Sequence, residues 1–421
     1  MITSDKKKKK NCFGINSIIV LFVLLICTKG FSYVGWNVTL GGQAIQLLLI
    51  IILLYVFVVK HFELPAGSQL KYIILCLMIV PLFSIIPARI LHNQSLPDSF
   101  YNTKTNLYYV FFFVLYYLKL KEKSLLKLIL ILGIAWCFIE IIQQLSYPNV
   151  WFAGRHETEE KEIEVRYGVY RYDMSGREFG VLFLCYSIAG LIKNRKKKYI
   201  VGAILGLIGI YLLTTRQIIF AMFICTCYGL LSTYKVKISS IILVSLVSSI
   251  LLYNGKKLFG DTFEQVSEQL YDKDNVRYLS YTYYGLTYNK DNLLPVVFGN
   301  GDPGRNTTYA NEIHNMEIYY GLWRADIGIV GAYSLYGIAY VVIIILFFAF
   351  CFNKRKYIDL YLRMYILFML ITCPMLWHFS YSAERITISC CILYLIDKTI
   401  KRNEILESVD AKAKKVKPCN T

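Results

Sequence analysis

Apolar and polar positions are segregated along this chain in blocks. Apolar runs occur at Phe13–Thr28, Leu40–Val59, Leu70–Ile90, Leu107–Leu118, Leu125–Ser146, Phe179–Ile192, Tyr199–Leu213, Ile218–Thr233, Ile238–Tyr253, Ile327–Phe352, Tyr361–Trp377 and Ile386–Ile396. Most have about the length needed to cross a ~30 Å hydrocarbon core, and the fourth, sixth and last are short. The pattern predicts an all-α, polytopic integral membrane protein of about twelve transmembrane helices, forming a single membrane domain over 1–421. The first run follows Lys6–Lys10 in the manner of a signal peptide. No small-residue cleavage site follows it and further spans do, so it reads as a first transmembrane helix.

Three polar blocks interrupt or follow the runs: a first long loop over 147–176, a larger one over 254–326 between the ninth and tenth spans, and a basic tail over 397–421. The larger loop organises the rest, because polar connections of that length are uncommon unless they serve a function or are disordered. Tyr271, Tyr278, Tyr281, Tyr283, Tyr284 and Tyr288 make it too aromatic for disorder.

Composition agrees: 56% of residues are hydrophobic and the mean hydropathy is +0.47, against about 45 to 50% for an ordinary soluble domain. A net charge of +18 would suggest a nucleic-acid partner in a soluble protein. Here alternate crossing from a cytoplasmic start puts the lysine-rich segments on one side, as the positive-inside rule requires. No nucleic-acid partner is expected, and both termini are placed in the cytoplasm. The cysteines fall mainly within apolar runs and neither long loop holds one, so no disulfide framework or metal cluster is implied.

Separating lysine from arginine sharpens this. The predicted outer segments hold Arg89, Arg155, Arg166, Arg171, Arg177, Arg216, Arg277, Arg305, Arg324 and Arg385, while the inner ones are dominated by lysine. A planar guanidinium grips phosphate or carboxylate with two parallel hydrogen bonds, although many of these arginines could equally pair with outer acids such as Glu157–Glu164 or Asp326. Arg216 sits in a very short outer turn, Thr214–Gln217, where it either snorkels to the interface or lines a site. Trp36, Trp151, Trp323 and Trp377 lie near predicted membrane boundaries, as an interfacial aromatic belt would place them. There is no internal repeat, phosphate-binding glycine loop or zinc-binding HExxH motif.

The return from the larger loop into the membrane concentrates chemistry. His314 is one of five histidines, flanked by Asn315 and Glu317 and followed by Arg324 and Asp326. A lone loop histidine is more often a hydrogen-bonded strut than a catalyst. This one has the neighbours of a general base, with Glu317 or Asp326 able to orient it or replace it. Glu140, Gln143 and Gln144, near the outer end of their span, could face the same cavity.

The turn Phe298–Gly299–Asn300–Gly301–Asp302, then His314–Asn315, then Asp326–Ile327–Gly328–Ile329–Val330–Gly331 opening a long helix, resembles the bacterial O-antigen and capsular repeat-unit polymerases and the related O-antigen ligases. Arg166–Tyr167–Gly168 before a mid-chain span and Thr214–Thr215–Arg216 opening another extend the resemblance. It implies an inverting glycosyltransferase that uses no metal or other cofactor, working at the outer face of the bacterial cytoplasmic membrane on oligosaccharides carried by undecaprenyl diphosphate. A chain-length regulator is a candidate partner. Breaking a sugar–diphosphate bond leaves an anion, which without a divalent metal needs arginine: Arg216 and Arg166 first, then Arg171, Arg277 and Arg324. His314, Glu317 and Asp326 are the expected catalytic residues. Ala325 stands where the ligases carry their first glycine, which favours the polymerase. The alternatives are a ligase handing the chain to a lipid core sugar, and a flippase or transporter without chemistry. A transporter would be expected to show repeated halves and charges paired at the midplane.

Overall fold

Helices occupy eleven of the twelve apolar runs in the computed structural model of the chain, which describes residues 14–35, 38–152, 165–166, 168–172, 174–233, 275–289, 292–380 and 382–416. The run at Ile238–Tyr253 lies outside the described residues, as do Trp36, Arg155 and Tyr167. Among the described residues, five helices are long and apolar enough to cross a membrane: Gly41–Val59, Lys71–His92, Glu122–Leu145, Arg216–Thr233 and Gly328–Asn353. Ile15–Cys27 and Leu360–Thr372 are shorter apolar helices. The fold is that of an all-α membrane protein. Among the described residues the strands amount to Val165–Arg166 paired antiparallel with Val169–Tyr170, and one isolated bridge between Tyr33 and Phe152.

Two kinds of helix follow from two kinds of sequence. The middle of the Arg177–Asn194 helix, Phe179–Ala189, and the Ile388–Ile396 stretch of Ala383–Val416 are largely apolar and lie inside the bundle, where Ile386, Cys390, Cys391, Tyr394 and Ile396 are fully buried. Gly41–Val59 instead leaves Leu47, Ile50, Ile51, Leu54 and Val58 uncovered, the surface expected of a lipid-facing perimeter. Where the Glu122–Leu145, Arg177–Asn194 and Lys197–Leu212 helices meet, Trp136 fills the space over Gly180 and Phe183 the space over Gly133, the small-residue contact that lets membrane helices approach closely.

Polar contacts at the helix ends fall into two groups. In one, Asn16 donates to the Leu118 carbonyl at 2.8 Å, the Gln69 amide donates to Asp397 at 2.9 Å, Lys354 meets Glu404 at 2.7 Å, and Arg402 bridges Glu122 and Asp359. In the other, Ser32 bonds Ser175 at 2.8 Å, the Gly176 amide donates to Glu384 at 2.6 Å, and Gln94 donates to the Asp302 carbonyl at 2.9 Å.

Two predicted polar blocks carry more regular structure than their composition suggested. The final helix runs unbroken from Ala383 to Val416, well past the predicted span end at Ile396, because no glycine or proline interrupts it and its charged face finds partners in Lys354, Lys356 and Asp359. Within the 254–326 block lie helices at Val276–Thr282, Leu293–Phe298 and Thr308–Tyr320. Their N-caps are Asn275, Asn292 and Thr307, whose side chains accept from the amides of Arg277, Leu294 and Ala310 at 3.0, 3.0 and 3.1 Å.

The Gly328–Asn353 helix seats this block. It breaks at Gly337, where φ is 75°, and the break takes the Ser334 and Leu335 carbonyls out of the helical ladder. The turn after Phe298 satisfies them: the Asn300 amide donates to Ser334 at 3.0 Å and the Gly301 amide to Leu335 at 2.9 Å. Gly299 and Gly337 both have positive φ, and a Cβ on either would overlap the backbone of the other segment, so side chains are excluded on both sides of the junction.

Candidate functional site

The Thr308–Tyr320 helix ends at Gly321, and a tight turn through Arg324–Asp326 leads into the Gly328–Asn353 helix. That turn points Arg324 inward, leaving the residue 7% exposed among Tyr284, Tyr288, Tyr309 and Asp302. Its guanidinium carbon lies 5.9 Å from the centre of the Tyr284 ring, and the Tyr309 hydroxyl reaches it. Nη1 is buried with no hydrogen-bond partner, and among the described residues no carboxylate lies within ion-pairing distance of Arg324. A buried cation in that state costs free energy unless an anion completes it.

Three other expected residues gather at the same turn. Glu317 accepts the backbone N–H of Arg324 and is half-buried. Burial raises its carboxyl above the usual range and Asp326 adds to this, while Arg324 and His314 oppose it. His314 and Asp326 are exposed. Glu317, Arg324, His314 and Asp326 therefore share one electrostatic environment. Burial likewise raises the Asp302 carboxyl, against the Tyr336 hydroxyl that donates to it at 2.7 Å and against Arg324.

Of the remaining expected arginines, Arg277 borders the same turn, since its neighbour Val276 packs on Gly321 and its charge acts on Tyr281. Arg277 lies exposed in the first turn of the Val276–Thr282 helix, and Arg216 lies exposed at the start of Arg216–Thr233. Arg166 belongs to the short β-pair and its side chain is outside the described residues, whereas Arg171 is half-buried just beyond that pair. Arg177 meets Glu178 at 3.4 Å, the acid pairing anticipated for part of the outer set. Gln143 accepts from the amides of Trp151 and Phe152 at 2.9 and 3.0 Å, and Gln144 clamps Tyr170, so both fasten the first loop to its helix. Glu140 is fully buried. Trp151 and Trp323 are exposed as a belt would have them, but Trp377 is buried against Gly331.

Four neighbours escaped sequence reasoning. His92 stacks on Tyr309 with ring centres 3.8 Å apart, contacts Asn300 Oδ1 through Nε2 at 3.2 Å, and faces Glu312 through Nδ1 at 3.9 Å. Tyr309 donates to the Gly301 carbonyl at 3.2 Å, tying the ring pair to the turn. The sequence signal for Asn300 was the glycine-flanked turn that holds it. His92 and Tyr309 carry none, being more than two hundred residues apart in the chain.

The glycines of the Gly328-x-x-Gly331 pair have a packing role. A Cβ at Gly328 would overlap the Cys373 carbonyl and one at Gly331 would meet Arg324 and Trp377, while the Ile329 amide donates to Cys373 at 2.9 Å. Tyr281 bonds the Pro374 carbonyl and Tyr284 the Leu322 carbonyl at 3.1 Å, closing the aromatic wall over the turn. The arrangement offers a buried cation lined by aromatic rings, beside one half-buried carboxyl and two imidazoles. No family model matches the chain, and no curated protein matches it.

Proposed function

We propose that this protein polymerises lipid-linked oligosaccharide repeat units, transferring the growing glycan from undecaprenyl diphosphate to a sugar hydroxyl of the incoming unit at the outer face of the bacterial cytoplasmic membrane. The observation that carries the reading is Arg324, a buried guanidinium with an unpartnered Nη1, set beside Glu317, His314 and Asp326 where an apolar bundle meets its largest polar segment. A departing lipid diphosphate gains negative charge beyond that of the bound donor, and a fixed, desolvated cation favours that more highly charged state over the ground state. The tyrosines offer faces for sugar rings, and the outer arginines, Arg216 and Arg277 among them, extend the positive surface along which a polyanionic donor would lie. The twelve-span layout with cytoplasmic termini belongs to this proposal and rests on the distribution of lysine.

The test is polymer laddering by gel in a strain deleted for its own copy and complemented with wild type, Arg324→Lys, His314→Ala or Arg216→Ala, with membrane levels checked by blot. Wild type should restore the ladder and Arg324→Lys should leave single units on their carrier. A deletion strain that still makes full-length polymer, held on its lipid carrier, would instead identify the ligase reaction.

A further inference from the structure

Resting on the polymerase reading above, we infer that His92 takes the proton of the attacking sugar hydroxyl, with Glu312 stabilising the imidazolium that forms. Asn300 Nδ2 donates to the Ser334 carbonyl at 3.1 Å and to Asn289 Oδ1 at 2.7 Å. A carbonyl can only accept, so the Asn300 amide is fixed with Oδ1 turned to His92, 3.2 Å from Nε2. An oxygen acceptor there requires a hydrogen on Nε2. The neutral ring therefore carries its lone pair on Nδ1.

That nitrogen faces a carboxylate. The Glu312 carboxylate lies 3.9 Å away, too far for a hydrogen bond with the neutral ring but close enough to favour the protonated one. The His92 side chain is 14% exposed and that of Glu312 59%, so the Nδ1 edge opens towards solvent while the Nε2 edge is held by buried Asn300. Tyr309 stacked on the ring fixes its plane. His314, by comparison, is exposed on the same helix as Glu312, and its neighbour Glu317 is the carboxyl that borders Arg324. The two imidazoles thus divide: His92 receives the hydroxyl proton and His314 stays on the leaving-group side.

The step balances as a displacement. The acceptor O–H bond breaks with its proton going to Nδ1, and the oxygen forms a bond to the anomeric carbon. The bond from that carbon to the diphosphate oxygen breaks, and the lipid diphosphate leaves with the electron pair beside Arg324. The imidazolium then returns its proton to water.

The experiment uses purified full-length protein in liposomes, supplied with the lipid-linked units that accumulate in the deletion strain. His92→Gln keeps an N–H for Asn300 and removes the base. Turnover should fall about 100-fold or more, with KM for the lipid-linked unit within about threefold and thermal melting unchanged. Turnover within about threefold of wild type would make His92 a strut and overturn the inference. Should His92→Gln fail to fold, Glu312→Gln decides. Glu312, Tyr309 and Arg324 are the ionisable groups facing the ring. Loss of the carboxylate should move the acid limb of the pH–rate profile to lower pH, because the imidazolium loses its counter-ion; an unmoved limb overturns the inference. Failure of wild type to polymerise would overturn the functional reading itself, and this inference with it.

Discussion

Arg324 and Arg402 stand in opposite states. Arg402 bridges two carboxylates, Glu122 and Asp359 at 2.9 Å, in a region where Lys354, Lys356 and Asp397 are also partnered. Arg324 is more deeply buried, yet its immediate partners are tyrosine rings and a hydroxyl, with Asp302 nearby but not ion-paired and Nη1 left over. A satisfied cation fastens helices together. An unsatisfied one stores a cost that an arriving anion removes, and such sites are more often built for binding than for stability. The difference separates the two roles arginine plays in this chain.

The comparison breaks most directly on Arg324→Lys. Lysine keeps the charge but loses the planar fork, and polymer formation should fall about 10²- to 10³-fold, read as ladder density in membranes with equal protein. Recovery of a normal ladder would place Arg324 with Arg402 as a structural group. Next in size is the seat of the site. Gly337→Ala or Gly299→Ala puts a Cβ into facing backbone at a positive φ and should destabilise the fold by about 1 to 3 kcal/mol, read by thermal melting in detergent, with polymerisation falling alongside because Asn300 is displaced.

For the satisfied cation, Arg402→Gln should lower stability by about 1 to 2 kcal/mol, since the bridge is only partly exposed and its loss leaves Glu122 and Asp359 uncompensated. Turnover per folded molecule should not change. The smallest effect concerns Glu317. Its carboxyl is raised in the folded state by burial, so the protonated form is favoured on folding; that stability is fully present in acid and is lost as pH rises through the folded value. Glu317→Gln should therefore melt like wild type in acid and slightly above it near neutrality, and the gap should open with rising pH.

Much of this was legible because the informative residues are contiguous. His314, Glu317, Arg324 and Asp326 lie within thirteen positions, so any compact path from loop to membrane brings them together, as it does here around the Arg324–Asp326 turn. The apolar runs were legible for the same reason: a helix in lipid satisfies its backbone within its own segment. Contacts between distant segments were not. His92 meets Asn300 only because the Gly337 break exposes two carbonyls for the Asn300 turn to occupy, and nothing in Tyr336–Gly337–Ile338 announces a break. The block at 254–326 was read as loop from its polarity, yet Asn275, Asn292 and Thr307 are helix-capping residues and mark three of its helices. The lysine-rich segments pointed to topology alone, whereas several of their charges are also fastened to Glu404, Glu407, Glu122 and Asp359.

The central claim is that the sugar–diphosphate bond is broken beside Arg324. The direct measurement is release of undecaprenyl diphosphate, counted against glycosidic bonds formed, by purified wild type, Arg324→Lys and Arg402→Gln in liposomes loaded with lipid-linked repeat units. The account predicts one lipid diphosphate per bond from wild type and Arg402→Gln, and neither product above background from a normally melting Arg324→Lys. Release by Arg324→Lys at the wild-type rate would contradict it.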